Sequence, residues 1–305
     1  MSKIIAVCPK EYPGVNAVFR HGAALGLWTH LHLEDTIPEN DFVILGAWHP
    51  SYEEYLDKHR CVVYLTSTFG QMEFSNNQIE IQYIPMFIEL LNKNRIKAIL
   101  AGWKEVADYF NDRVKEKSFY CPYPFSEAYL KEIKEGAFIK EPNSVGIFLP
   151  CAPRKNTFNQ LLAAVKSGMK IYTNLPYNFE NPNINKIEWL SNEEYFLFIS
   201  RLTLTLHCTF TESFSYAAAE SLMLGTLPIV SLQISENLNL PHNLICYQCD
   251  SVSNILSKIE GIKELDEFRY EEHIRSCQGH FRFKNKINFA LTKDVLDKVT
   301  NLVVK

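Results

Sequence analysis

Two glutamates, Glu212 and Glu220, sit in a segment that otherwise has little use for charge, CTFTESFSYAAAESLMLGTLPIVS over residues 208–231. A core helix gains nothing from them, and a surface helix would be less apolar between them. The pattern predicts a strand over Leu204–Cys208, a loop over Thr209–Ser213 and a helix over Phe214–Leu224, closed by Gly225 with Pro228 just beyond. The first amides of that helix, at Ser213, Phe214, Ser215 and Tyr216, would lack carbonyl partners and offer a site for phosphate. A carboxylate beside a diphosphate is electrostatically poor unless hydroxyl groups donate to it. A sugar on each side of the diphosphate would supply those donors. Glu212 would then hold the hydroxyls of one sugar and Glu220 those of a ribose, so the expected ligand is a nucleotide sugar.

Such a loop needs a scaffold that presents it. Short apolar runs alternate with helical patterns along the whole chain, the sequence form of parallel sheets covered by helices. In the first half the expected strands are Ile4–Cys8, Leu27–Leu33, Phe42–Leu45, Cys61–Leu65, Ala98–Ala101 and Phe119–Cys121. The pattern restarts with strands at Val145–Leu149, Lys170–Thr173, Ile187–Trp189, Leu204–Cys208, Ile229–Ser231 and Asn243–Tyr247. Helices are expected between them, among them Asn16–Leu25, Lys104–Asn111, Thr157–Ser167 and Val252–Ile259, with one or two closing helices over Lys284–Val304. Two restarts imply an α/β fold of two doubly wound domains, with the seam in the loop-like Glu135–Asn143. The expected division is 1–140, 141–285 and a C-terminal helix 286–305 packing back on the first domain. The ligand would lie in a cleft where the carboxyl ends of the two sheets face each other.

The totals exclude several classes. The chain has 305 residues and a net charge of −4, which argues against a general nucleic-acid binder. No apolar run approaches the ~20 residues of a transmembrane helix, and the first residues read as a strand rather than a signal peptide. Eight cysteines lie without repeating spacing. Cys246-Tyr-Gln-Cys249 has no second pair to complete a zinc site and reads as two ordinary thiols. Scattered thiols suit a reducing compartment, so a cytoplasmic location is expected. No G-x-G-x-x-G follows Ile4–Cys8, which argues against a dinucleotide-dependent oxidoreductase. No cofactor and no metal are expected, since no D-x-D-type motif is present.

The segment 208–231 resembles the E-x7-E region of retaining glycosyltransferases of GT-B architecture, most closely glycosyltransferase family 4, through Glu212, Phe214, Glu220, Gly225, Thr226 and Pro228. The resemblance implies transfer of a hexose from a nucleotide-diphosphate sugar to an acceptor hydroxyl of a glycan, lipid or protein, with retention and without a metal. GDP-mannose is favoured slightly on family frequency, with UDP-sugars next. SVGIFLPCAPRKNTFNQLL is similar to the family's first strand and basic loop of the second domain, which implies that Arg154 and Lys155 grip the diphosphate. By the same resemblance the backbone near Ser191 meets the nucleobase, Gly14 lies near the donor phosphates, and Glu212 orients the donor sugar. The family's first-domain catalytic histidine aligns with Gly46, which leaves His49, three residues on, as the candidate. Ser213 and Ser215 stand where the family usually has glycines, and Leu149-Pro150 stands where it commonly has an arginine. A nucleotide-sugar 2-epimerase or a non-catalytic sugar-nucleotide binder is the alternative function. A homodimer and peripheral membrane contact remain open.

Overall fold

A computed structural model describes residues 4–37, 42–74, 79–130, 139–177 and 180–304. The chain divides into two units, one of residues 1–129 and 285–305 and the other of 130–284. Part of the expected seam, 131–138, lies outside the described residues.

Unit 1 is built on six parallel strands in the order β2-β1-β3-β4-β5-β6. These are β1 (Ile4–Cys8), β2 (Thr29–His32), β3 (Phe42–Gly46), β4 (Arg60–Leu65), β5 (Ile96–Ala101) and β6 (Ser118–Tyr120). Val43, Leu45, Val63 and Ile99 are fully buried, as strands covered on both faces require. Helix α1 (Pro13–Ala24) follows β1 with Pro13 in its first turn, where a missing amide costs nothing. The helices α2 (Glu53–Lys58), α3 (Phe69–Glu73), α4 (Ile79–Gln82), α5 (Ile84–Asn92) and α6 (Lys104–Asn111) complete the unit before its C-terminal segment. Phe87, Leu91, Val106 and Phe110 bring the apolar faces of α5 and α6 into the core.

Unit 2 carries the second sheet: β7 (Ser144–Ile147), β8 (Lys170–Thr173), β9 (Ile184–Lys186), β10 (Leu204–His207), β11 (Leu227–Ser231) and β12 (Ile245–Cys246). Its order is β12-β11-β10-β7-β8-β9, all parallel. Numbered from β7, this is the Rossmann order 3-2-1-4-5-6. The order reverses between β7 and β10, which pair directly through Leu204↔Val145 and Thr205↔Gly146. The helices are α7 (Thr157–Ser167), α8 (Asn192–Ile199), α9 (Tyr216–Met223), α10 (Leu232–Leu238) and α11 (Val252–Lys263), followed by α12 (Glu267–Val304), whose residues from Asn285 onward belong to unit 1.

Two expectations are corrected, and one helix is additional. The third strand of unit 2 is Ile184–Lys186, not Ile187–Trp189. It is an edge strand half open to water, so its apolar signal is weak, and Trp189 is 76% exposed. The closing helix, expected as one or two helices over Lys284–Val304, is a single helix that starts earlier, at Glu267, and runs to Val304. Helix α10 was not anticipated, because LQISENL follows β11 with no turn residue to mark it.

Candidate functional site

The switch point of unit 2 places two loops side by side. The loop after β7 runs into a short 3₁₀ turn, Pro153–Lys155, that presents Arg154 and Lys155. The loop after β10 presents Glu212. Lys155 Nζ donates to Glu212 Oε2, and Arg154 Nη1 lies 3.4 Å from the same oxygen. Glu212 and Lys155 are 7% and 8% exposed. Burial pushes the Glu212 carboxyl up, but Lys155 and then Arg154 outweigh it and hold the group below its ordinary range. Burial pulls the Lys155 ammonium down, against the opposing pull of Glu212. Two cations and one carboxylate leave a net positive site. His207, one strand turn back, is pushed down to about 3 by burial and then by Lys155, so it stays neutral and adds no charge.

Polar side chains that the sequence pattern did not single out tie these loops together. Gln160 of α7 donates through Nε2 to the Lys155 carbonyl at 2.7 Å and accepts from the Cys208 amide at 2.9 Å. Asn156, left-handed at φ 53°, donates to the carbonyls of Cys208 and Cys249. The Phe210 amide donates to the Arg154 carbonyl at 2.9 Å. From α10, Gln233 accepts from the Glu212 amide at 2.9 Å and Asn237 donates to the Ser213 carbonyl at 2.6 Å. An amide side chain facing two loops reads as an ordinary helix residue until the strand order is known.

The predicted phosphate-facing helix starts later than expected, at Tyr216 rather than Phe214. Ser213 is not part of it: its amide donates to Glu212 Oε1 at 3.2 Å. Phe214 is buried against the rings of Tyr216 and Phe281, so its side chain serves packing. Ser215 turns the chain into α9 at φ 60°, ψ 77°, a left-handed conformation that favours glycine. Its carbonyl accepts from the Ala218 and Ala219 amides. Glu220 is buried on α9 at 6% exposure and acts electrostatically on Tyr195, whose phenol is raised first by burial. The turn after α9 is structural. Gly225 at φ 83° sits between the bonds Gly225 N to Leu222 O and Thr226 N to Ser221 O, while Thr226 Oγ1 accepts from half-buried Lys140.

The remaining candidates lie elsewhere. Ser191 caps α8, where its hydroxyl accepts from the Glu194 amide and the Glu194 carboxylate accepts from the Ser191 amide. Gly14 lies in the first turn of α1, exposed, and an added methyl there would meet no atom within 4 Å. His49 follows β3 in unit 1. Its Nδ1 accepts from the Ser51 amide at 3.3 Å and its Nε2 lies 3.8 Å from Glu11. Those contacts are the work of a turn cap; His49 and Gly14 both belong to unit 1, whereas Arg154, Lys155 and Glu212 belong to unit 2.

No protein-family model and no curated protein matches the sequence. Solved structures do match in three dimensions. A trehalose-6-phosphate synthase studied for glycosyl transfer with retention aligns with a TM-score of 0.62 at 9% identity, over 93% of this chain and 77% of that one. A UDP-forming α,α-trehalose-phosphate synthase from Burkholderia xenovorans, in complex with glucose-6-phosphate, aligns at 0.63 and 8% identity over 93% and 76%. A mutant of S. aureus TarM in complex with fondaparinux, α-GlcNAc-glycerol and UDP aligns at 0.62 and 11% identity. The match covers 86% of this chain and 55% of TarM. The fold is that of the GT-B glycosyltransferases. Its two Rossmann-like domains are the two six-stranded units described above. No helix among the described residues is long and apolar enough to cross a membrane.

Proposed function

We propose that the protein is a retaining glycosyltransferase whose unit 2 binds a nucleotide-diphosphate sugar. The observation that supports this reading is the group of buried Lys155 and Glu212 with half-buried Arg154 at the carboxyl ends of β7 and β10, where the strand order reverses. Open α/β sheets take ligands at that point. The group is net positive, matching a diphosphate. A bound diphosphate would compete for the two cations and release Glu212 to accept from sugar hydroxyls. As the donor bond breaks, negative charge grows on the leaving diphosphate, and Arg154 and Lys155 would stabilise it there. Glu220, one helix further in, is the candidate for the ribose.

UDP-sugars are the first donors to test, because UDP stands in the descriptions of the TarM and Burkholderia structures. The slight preference for GDP-mannose has no residue behind it. The experiment is calorimetric titration with UDP-glucose, UDP-GlcNAc, GDP-mannose and ADP-glucose, followed by detection of released nucleotide and of the anomeric configuration of any product. Binding by wild type that is lost in Arg154→Ala, with the α-anomer formed from an α-linked donor, supports the proposal. An epimerised sugar with no acceptor glycoside would instead establish the epimerase alternative. The absence of binding to any of the four would overturn the donor assignment.

A further inference from the structure

Unit 1 contains a second group of chemistry-bearing side chains that the donor-site reading does not use. Cys8 ends β1, and His30 and His32 lie on the edge strand β2. The two histidines are two residues apart, so both project from the same face of the strand. The parallel register sets Cys8 beside His32 and Ala6 beside His30, which puts the thiol on that face too. One sulfur and two imidazole nitrogens lie within 4.8 Å of one another, and Cys8 Sγ is 3.5 Å from His30 Nε2. Around a tetrahedral zinc ion, bonds of about 2.3 Å to sulfur and about 2.0 Å to nitrogen put ligand atoms roughly 3.5 Å apart. The sulfur–His30 separation already has that value. Cys8 is buried while both rings are half-buried, so an ion has an entry path from the sheet edge.

The surroundings hold these ligands in place. Asn16 of α1 accepts from the Cys8 thiol through Oδ1 at 3.2 Å, and its Nδ2 donates to the carbonyls of Pro9, Lys10 and Tyr12. The His32 amide donates to Asp35 Oδ2 at 2.7 Å, which pins the end of β2. Phe19 packs edge-on against the His30 ring. Arg20 is the opposing charge near Cys8 and His30, while Glu11 acts on Cys8 and Asp35 on His30 in the other sense. A thiolate with two neutral imidazoles suits zinc and its borderline neighbours and gives magnesium or calcium no oxygen cage. Three protein ligands leave one position for water or for a ligand atom.

We propose that Cys8, His30 and His32 form a mononuclear zinc-type site in unit 1, with a fourth coordination position open. The site is independent of donor binding in unit 2, and its test does not read transfer activity. The full chain, without a polyhistidine tag and stripped of metal, is titrated with Zn²⁺ against a chromophoric chelator and separately with Co²⁺. Wild type should bind a single ion of either metal, and the cobalt form should show a thiolate-to-cobalt charge-transfer band in the near ultraviolet. Cys8→Ser should lose that band. His32→Gln, at a half-exposed position that leaves the fold intact by circular dichroism, should weaken zinc by more than the roughly 10- to 100-fold that loss of an outer-shell partner costs. Cys246→Ser should leave binding unchanged, which separates this site from the thiols of unit 2. The proposal is overturned if wild type takes up no zinc at micromolar concentration, if His32→Gln binds like wild type, or if only Cys246→Ser loses the ion.

Discussion

Both sheets reverse their strand order once, and the two reversal points are tied together by different chemistry. In unit 1 the join between β1 and β3 is made by neutral groups. The Tyr52 hydroxyl donates to the carbonyls of Val7 and Gly46, and the Tyr12 hydroxyl to that of Trp48. The ion pair there, His49 with Glu11, is long at 3.8 Å, and the Glu11 side chain is 63% exposed. In unit 2 the join between β7 and β10 buries a lysine and a glutamate. Unit 1 shows that this architecture closes its switch point without buried charge. Burying two charges costs several kcal/mol each, which their mutual attraction only partly returns. Folding alone therefore does not explain Lys155 and Glu212, and the charged ligand proposed above would account for both.

The largest effect expected from this contrast is on stability. Glu212→Leu leaves the Lys155 ammonium buried without its carboxylate and should cost about 3–5 kcal/mol in urea unfolding. Glu11→Leu removes only the exposed pair with His49 and should cost less than about 1 kcal/mol. Equal losses would erase the distinction between the two sites. Adding Lys155→Met to Glu212→Leu should recover most of the stability while nucleotide binding stays lost. The contrast also has a pH form. Because the folded-state carboxyl of Glu212 lies below its ordinary 4.5, its contribution is complete above that pH and is lost as the pH falls through the folded value. The stability gap between wild type and Glu212→Gln should therefore narrow in acid, below pH 4.5; a gap that stays constant there would show that the buried pair does not set the pH dependence.

A smaller effect is expected at the amide that bridges the two loops. Gln160→Leu removes the donations of its Nε2 to the Lys155 and Asn156 carbonyls and leaves the buried Cys208 amide without its acceptor. The loss should be about 2–3 kcal/mol, read by thermal unfolding. Donor affinity should fall further than stability alone explains, since the Arg154–Lys155 turn and the Glu212 loop then lose one of the bridges that hold them in register. Affinity that stays at the wild-type value would show that the loops hold without this bridge.

The sequence carried the strands well where they are buried on both faces. Ile4–Cys8 has the predicted ends because a continuous apolar run marks it, and the helices Lys104–Asn111 and Thr157–Ser167 have theirs because helical spacing does. Lys170–Thr173 also has the predicted ends, although Lys170 is exposed and Tyr172 half-buried. The edge strand β9 lies three residues before its expected position, since half-buried Asn185 and exposed Lys186 dilute its signal. Within the site, Glu212, Arg154 and Lys155 were legible as residues, but their contact was not. They are more than fifty positions apart, and only the pairing of β10 with β7 brings them together. Gln160, Gln233 and Asn237 were missed for a related reason: an amide side chain has no spacing rule, and its partners are backbone groups on other loops. The Cys8–His30–His32 group escaped because its ligands come from two strands with no short motif linking them.

The smallest effects test what stands in place of the two glycines. Ser215 adopts φ 60° at the entry to α9, so Ser215→Gly should relieve backbone strain and raise stability by up to about 1 kcal/mol. If the serine hydroxyl contacts phosphate, the same variant weakens nucleotide binding while the melting temperature rises. If the strain alone matters, affinity is kept or improved. Gly14 in unit 1 is the counterpart. An added methyl meets nothing within 4 Å, and the residue lies inside a helix, where alanine is favoured by ~1 kcal/mol. Gly14→Ala should therefore be neutral or slightly stabilising in thermal unfolding. Should it also reduce nucleotide affinity, the open space over the first turn of α1 is a place where a ligand's backbone-sized approach is required, and the functional contrast between the two units narrows. Unchanged affinity would leave the donor's grip to unit 2 alone, where the buried charge already pointed.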